Sequence, residues 1–310
     1  MAIIQAPSRI DPRFGDGFNQ FLRILERVNN IKLADEELLI DMSGCNFLTP
    51  FFLLPLAVLI EREKKKRPVT IIKDIKSKYC KEYLDFISFE GGLRPEDIIG
   101  QTYKEKLTPY ENLNYIPIVN FPANRTDQGI TIRDTFMSVL GSVVTQRLNL
   151  QVNYKTAVMY LVDEAVNNII DHSAEERGYI FAQYYPSKQF MDICVVDSGV
   201  GIYQTYKDNG IDTVTSHKVA LEYAGTGIST KNRPAAEGRG YGITSSKAMV
   251  ADGLDGKYLL ISGNAFLFKA LGKEMITQIP VGFTWGGTVL GLRIPYSGNV
   301  KFNPSDFYEI

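Results

Sequence analysis

Histidine and cysteine are scarce in this chain of 310 residues, which contains two histidines and three cysteines. The cysteines, Cys45, Cys80 and Cys194, lie far apart and match no metal-ligand spacing. Because their number is odd, they cannot all pair in disulfides. We expect buried thiols in a reducing compartment, for which the cytoplasm is the default.

A strong net charge and long apolar runs are also missing. The formal net charge is −1, which argues against a dedicated nucleic-acid surface, because such a surface requires a basic excess. The first residues contain no signal-peptide core, and the apolar run at 51–60 is too short to cross a bilayer, which takes about 20 residues. We expect no association with a membrane, and a soluble chain long enough for two domains.

An apolar stripe at helical spacing runs through residues 154–173, YKTAVMYLVDEAVNNIIDHS. Its members are Val158, Val162, Ala165 and Ile169, and neither glycine nor proline interrupts the segment. The pattern predicts a helix that packs along one side.

Glu164 and Asn168 stand four residues apart on this helix, so their side chains emerge one turn apart on the same face. A carboxamide oxygen suits Mg²⁺, and a carboxylate can orient or deprotonate a water molecule near a phosphate. Asp163 and Asn167 offer the same chemistry one residue earlier, and a merely solvated polar face is a further alternative. We favour the later pair because it lies opposite the apolar stripe.

Three more segments follow the helix in sequence. A predicted strand ends at Asp197 in the turn DSGVG, the glycine-rich segment GRGYG precedes a helical pattern, and a strand begins within GGT. Together the four segments resemble the motifs of the Bergerat nucleotide site of the GHKL ATPase superfamily, which includes DNA gyrase, a heat-shock chaperone ATPase, histidine kinases and a mismatch-repair ATPase. The resemblance spans about 127–295, and EAVNNIIDHS is most similar to anti-sigma-factor serine kinases and histidine kinases.

The resemblance implies a role for each motif residue. Glu164 is the expected catalytic residue, and Asn168 is the expected ligand of Mg²⁺. ATP is expected to bind at the other motif positions, namely Asp197, Gly199, Gly201, Lys231, Gly238, Arg239, Gly240, Tyr241, Gly242 and Thr288.

Elementary chemistry is consistent with these roles. A carboxylate at the buried strand end, Asp197, can accept a hydrogen bond from the amino group of adenine, where guanine offers a carbonyl. Backbone N–H groups at a helix start, as after Gly240, can hold a phosphate. Taken singly, each motif is also compatible with an ordinary turn or an ordinary strand threonine.

A segment rich in glycine, 203–237, occupies the place of the phosphate lid of the superfamily. We expect it to be a loop that gates the site, with Lys231, Arg233 and Arg239 as candidate cations for the triphosphate. Many histidine kinases have a lysine three residues after the metal-binding asparagine, where this chain has Asp171. The chain also lacks the long helical hairpin that presents a phosphoacceptor histidine.

Strands and helices alternate between about 17 and 93, which predicts a small α/β unit. Residues 38–72 resemble a STAS domain, the fold of anti-sigma-factor antagonists. Phe51 stands where that family has its phosphoacceptor serine, and the nearest hydroxyls are Thr49 and Ser43. We favour a docking or dimerisation domain that accepts no phosphate.

These patterns predict an α/β chain of two domains: a STAS-like α/β domain at 1–98, a linker at 99–126, a Bergerat-fold sandwich at 127–298 with helices on one face of a mixed sheet, and a tail at 299–310. We expect part of the linker to pack on a domain, with a strand at 114–121. The expected function is a Mg²⁺-ATP-binding ATPase that regulates its N-terminal domain or a STAS-like or regulatory protein partner, as a monomer or homodimer. A serine/threonine kinase and a nucleotide switch with negligible turnover are the alternatives.

Overall fold

The computed structural model describes residues 1–32, 36–94, 103–123, 126–127, 130–131, 134–135, 137–138, 140–141, 152–173, 177–227, 242–295 and 302–307. In this part of the chain, helices accompany a small parallel sheet and a large antiparallel sheet. The predicted α/β class is therefore confirmed.

The small sheet and three helices form what we call the N-terminal unit, residues 1–94. Its elements are β1 (Ala2–Gln5), α1 (Asp16–Asn29), β2 (Leu38–Asp41), α2 (Pro50–Lys64), β3 (Val69–Ile72) and α3 (Lys78–Phe86). The strands are parallel and lie in the order β1-β2-β3. The helices, β2 and β3 confirm the predicted alternation, whereas β1 precedes the range in which strands and helices were predicted.

Helices α1 and α2 differ in how they are buried. Helix α1 is amphipathic and buries Phe18, Phe21, Leu25 and Val28 on one side. In α2, every residue from 50 to 60 is buried. A helix that is apolar on all sides has to be covered on all sides, so α2 requires a second layer beyond the small sheet.

The large sheet supplies that layer. It contains β4 (Tyr115–Pro122), β5 (Arg177–Tyr185), β6 (Phe190–Val196), β7 (Lys257–Gly263), β8 (Ala265–Ala270), β9 (Lys273–Gln278) and β10 (Trp285–Pro295). The order is β4-β5-β6-β10-β7-β8-β9, and every pairing is antiparallel. The prediction of a mixed sheet is therefore wrong. Hairpins join β5 to β6, β7 to β8 and β8 to β9, and β10 runs antiparallel to both of its neighbours.

One face of the large sheet is covered by helices from the second part of the chain. These helices are α4 (Tyr103–Leu107), α5 (Val152–His172), α6 (Gly201–Asp208), α7 (His217–Gly225) and α8 (Gly242–Ala248). The predicted stripe of α5 is buried in one cluster with Ile193 and Val195 of β6. The helix at 154–173 is thus confirmed, together with the side on which it packs.

The opposite face of the sheet is covered by the N-terminal unit. Cys194 and Val196 of β6 share a buried cluster with the apolar residues of α1 and α2. The layers approach closely at Gly291, where a Cβ atom would lie 2.2 Å from the Phe18 ring and 3.3 Å from the Phe51 ring. The described helices of the second part of the chain therefore lie on one face of the large sheet, as predicted, and α1 and α2 of the N-terminal unit lie on the other.

The predicted linker contributes an edge strand. The expected strand is present as β4, which pairs with β5 within the large sheet. The N–H of Leu93 donates to the carbonyl of Ile118 at 2.8 Å, so the end of the N-terminal unit is bonded to β4 as well. Through this hydrogen bond and the pairing of β4 with β5, the end of the N-terminal unit is connected to the large sheet.

Cys45, Cys80 and Cys194 are all buried thiols, as predicted, and burial raises the pKa of Cys45 to about 12. None of the described helices combines the length and the apolar character that crossing a membrane requires.

Candidate functional site

Asp197 and Thr288 face each other where β6 ends and β10 begins. The Thr288 hydroxyl donates to Asp197 Oδ2 at 2.5 Å, and the Thr288 N–H donates to the same oxygen at 3.1 Å. The N–H of Asp197 in turn donates to the Thr288 carbonyl at 3.0 Å. The antiparallel register, which pairs Val196 with Val289, places these two residues opposite each other.

The turn after Asp197 packs tightly against the end of α5. The N–H of Gly199 donates to Asp197 Oδ1 at 2.8 Å, and the N–H of Val200 donates to the Ser173 carbonyl at 3.0 Å. A Cβ atom on Gly199 would lie 1.9 Å from that carbonyl oxygen, so only glycine fits here. Gly201 follows as the first residue of α6.

Glu164 lies against the start of α8. A Cβ atom on Gly242 would be 1.7 Å from Glu164 Oε1 and 2.4 Å from its carboxyl carbon. Burial raises the pKa of Tyr258, and the negative charge of Glu164 adds to this increase. The last glycine of the GRGYG segment thus touches the predicted catalytic carboxylate.

Asn168 is half-buried, one turn further along α5. Within the part of the chain that the structure describes, its carboxamide forms no hydrogen bond. The alternative asparagine differs, because the Asn167 amide donates to Asp163 Oδ2 at 3.0 Å. The earlier pair is thus engaged within its own helix, whereas Glu164 of the later pair borders Gly242.

The first half of the predicted lid is helical and packed. Helices α6 and α7 occupy most of 203–225, and the rings of Tyr203 and His217 meet edge to face at 4.9 Å between centroids. His217 Nδ1 lies 2.6 Å from Asn264 Oδ1 at the turn between β7 and β8. The prediction of a loop is therefore wrong for these residues, because two short amphipathic helices pack on each other and on the sheet.

The second half of that segment lies outside the described residues. This applies to five of the predicted site residues: Lys231, Gly238, Arg239, Gly240 and Tyr241. It also applies to Arg233.

Helix α8 is tethered to its surroundings by polar contacts. The buried Lys247 ammonium lies 2.7 and 2.8 Å from the two carboxylate oxygens of Glu274 on β9. The Thr244 hydroxyl donates to the Gly225 carbonyl at the end of α7, at 3.1 Å. These contacts hold the start of α8 beside Glu164.

Two site residues were not identified from the sequence. The Ser262 hydroxyl, at the end of β7, accepts the N–H of Ile202 at 3.0 Å and donates to the Gly287 carbonyl at 2.9 Å. The indole N–H of Trp285 donates to the Asp197 carbonyl at 2.9 Å. The only signal in the sequence was a single tryptophan directly before the GGT motif.

Of the two hydroxyls considered as phosphate acceptors in the N-terminal unit, that of Thr49 is poorly placed for the role. Thr49 is 3% exposed and lies against Gly17, and Phe51 stacks on Phe18 with 4.7 Å between ring centroids. This turn faces the large sheet on the side opposite α5. The backbone N–H of Ser43 donates to Asp41 Oδ1, and the Ser43 residue is half-buried.

Among the described residues, no group of three His, Cys, Asp or Glu side chains is arranged as a metal site. Comparison of the chain with protein-family models gives no match, and comparison with curated proteins gives none either.

Proposed function

We propose that the chain is a cytoplasmic Mg²⁺-ATP-binding ATPase of the GHKL type, whose nucleotide state regulates the N-terminal unit or a protein partner. The observation that carries the proposal is the convergence of four segments that are distant in sequence. The polar face of α5 meets the start of α8 at Gly242, and its end meets the Gly199 turn, which is bonded through Asp197 to Thr288. The order of these segments along the chain resembles that of the motifs of a Bergerat site, and their mutual contacts support the proposal.

Asp197 is assigned to the adenine. The N–H of Gly199 and the N–H and hydroxyl of Thr288 hold its carboxylate in one orientation. A carboxylate accepts hydrogen bonds but does not donate them. Such a group favours the amino group of adenine over the carbonyl of guanine. Thr288 takes part as the residue that orients Asp197.

Asn168 is assigned to Mg²⁺. Its carboxamide is half-buried and makes no hydrogen bond in the described part of the chain, so the hard oxygen ligand that Mg²⁺ prefers is accessible. Mg²⁺ in nucleotide sites commonly keeps few protein ligands and is bound largely by phosphates and water, so one asparagine suits this ion. The bound ion would neutralise phosphate charge.

Glu164 is assigned the role of general base. Hydrolysis forms a bond between a water oxygen and the terminal phosphorus and breaks the bond to the bridging oxygen, and the water proton has to be accepted. Glu164 is a carboxylate on the same face of α5 as Asn168, one turn away, and it lies against the start of α8. The same geometry permits transfer to a protein hydroxyl in place of water.

The test is calorimetric titration with Mg²⁺-ATP and Mg²⁺-GTP, applied to the parent and to Asp197→Asn. We expect Asp197→Asn to weaken the binding of ATP by about 1–3 kcal/mol, the range for loss of a hydrogen bond to a charged group. The binding of GTP is expected to weaken less. An equal loss for both nucleotides would contradict the adenine assignment, and absence of binding by the parent would contradict the function.

Product analysis separates the proposed ATPase from its alternatives. We expect free phosphate from the parent, and a rate reduced by about 10²–10⁴-fold in Glu164→Gln, the range for loss of a general base. Phosphoprotein formed only with an added STAS-like protein would indicate a kinase. Unchanged ATP with tight binding would indicate a switch without turnover.

A further inference from the structure

Trp285 connects the proposed adenine site with the N-terminal unit. It is fully buried, and its indole N–H donates to the carbonyl of Asp197. On its other sides, the ring meets Phe21 of α1 edge to face at 5.5 Å, and the guanidinium of Arg62 from α2 lies 4.9 Å from the ring centroid. One side chain thus touches the backbone of a site residue and both helices of the covering layer.

A bulge in β10 makes this double contact possible. Trp285 pairs with Gly263 and Thr288 pairs with Ser262, so Gly286 and Gly287 are inserted between two consecutive positions of the partner strand. Thr288 therefore reaches the Asp197 carboxylate, while Trp285 reaches the Asp197 carbonyl and the N-terminal unit. Asp197 is held at both its side chain and its backbone by residues on either side of the bulge.

The N-terminal unit also holds the segment that precedes Trp285. The carboxamide of Asn29, the last residue of α1, donates to the carbonyls of Gly282 and Thr284, both at 3.1 Å. Three side chains of the unit, Asn29, Phe21 and Arg62, therefore fix the start of β10 from outside the site.

We infer that Trp285 is a positioning residue for the proposed nucleotide site, and that the N-terminal unit sets the adenine preference of the site through Trp285 and Asn29. The inference rests on the proposed function, because it assigns the contacts a role in binding the base. The indole N–H helps to hold the Asp197 carbonyl in place. Without this donor the Asp197 backbone can shift, and a backbone shift displaces the carboxylate of the same residue.

The first experiment uses Trp285→Phe, which removes the indole N–H and keeps an aromatic ring against Phe21 and Arg62. We expect the ratio of ATP affinity to GTP affinity to fall about tenfold, as for the loss of one buried hydrogen bond. If Trp285 had a purely structural role, the substitution would lower the thermal midpoint of unfolding and would weaken the binding of ATP and of GTP equally. The ratio of the two affinities would then be unchanged. An unchanged ratio would overturn the inference.

The second experiment does not depend on a buried substitution. Asn29 is exposed, and Asn29→Asp keeps its shape but turns acceptor oxygens toward the two carbonyls. Asn30→Asp is the matched control, because it adds the same charge at the same helix end, and the Asn30 carboxamide bonds to no described residue.

We expect Asn29→Asp to lower the ratio of ATP affinity to GTP affinity, and Asn30→Asp to leave it at the parent value. Equal ratios in the two variants would overturn the role of the N-terminal unit. If the parent itself bound neither nucleotide, the proposed function would fail. Parent binding with an unchanged ratio in both Trp285→Phe and Asn29→Asp would refute the further inference alone.

Discussion

Arg293 on β10 forms two hydrogen bonds with Asp192 on β6, at 2.6 Å from Nε to Oδ1 and 2.7 Å from Nη2 to Oδ2. The pair is buried within the layer between the large sheet and the N-terminal unit. Arg293 also donates to the Pro12 carbonyl at 2.8 Å, and its guanidinium lies 3.8 Å from the centroid of the Phe190 ring. The N-terminal unit is therefore attached to the sheet by the hydrogen bond from Arg293 to Pro12 as well as by apolar packing, and Asp192 orients the guanidinium that donates this bond.

Loss of Arg293 is expected to destabilise the fold strongly. Arg293→Met leaves the Asp192 carboxylate buried without its counter-charge, which costs about 3–5 kcal/mol of unfolding free energy. The double variant Arg293→Met with Asp192→Leu is expected to lose less, because it leaves no buried charge. Urea titration measures both, and equal losses in the single and double variants would contradict this account.

The destabilisation by Arg293→Met is expected to depend on pH. Burial raises the pKa of Asp192 to about 6, and the hydrogen bonds and charge of Arg293 oppose that increase. Without Arg293 the pKa of Asp192 rises further. A carboxyl whose pKa is higher in the folded state than in the unfolded state favours folding when protonated, and this contribution is lost as pH rises through the folded-state pKa.

The difference in unfolding free energy between Arg293→Met and the parent should therefore shrink as the pH falls from about 8 to about 5. Urea titrations at several pH values measure it. A difference that stays constant across this range would show that Asp192 does not titrate in the folded variant.

Asn168→Ala is expected to abolish Mg²⁺-dependent binding of ATP, because it removes the only protein ligand assigned to the ion. Asn167→Ala is the matched control, since Asn167 donates to Asp163 within the same helix and is expected to retain binding. Calorimetric titration with and without Mg²⁺ decides between the two asparagines. The reverse result would transfer the metal assignment to Asp163 and Asn167.

Gly242→Ala is expected to reduce turnover, because the added methyl group would overlap Glu164 Oε1 and force the carboxylate or the start of α8 to move. The expected loss in kcat is about 10²-fold or more, as for a displaced general base. Gly44→Ala is the control, since a Cβ atom there meets nothing within 4 Å. A parent-like kcat in Gly242→Ala would show that the position of Glu164 is unimportant.

The intact mass of the protein is expected to remain unchanged after incubation with Mg²⁺-ATP. The Thr49 hydroxyl is buried between α1 and the start of α2, and Phe51, which stands at the sequence position where a STAS domain has its serine, is also buried. A phosphate group has no room at this position unless α1 and the start of α2 move apart. Mass spectrometry is the measurement, and one added phosphate at Thr49 or Ser43 would favour the kinase alternative.

Local spacing in the sequence determined α5 and the side on which it packs. The stripe that includes Val158 and Ile169 repeats with the helical period, and burial follows that period whatever the partner is. The same spacing placed Glu164 and Asn168 on one face. The turn at Asp197 was also recognisable, because a strand that ends in Asp and Gly has a characteristic local composition.

Only the tertiary structure decided which distant segments meet. Asp197 and Thr288 are 91 residues apart, and their contact depends on the insertion of β10 between β6 and β7. Strand order is set by how the whole sheet buries its two faces, which no local period encodes. For the same reason, the sequence could not show that α1 and α2 cover the second face of the sheet, or that Trp285 joins that layer to Asp197.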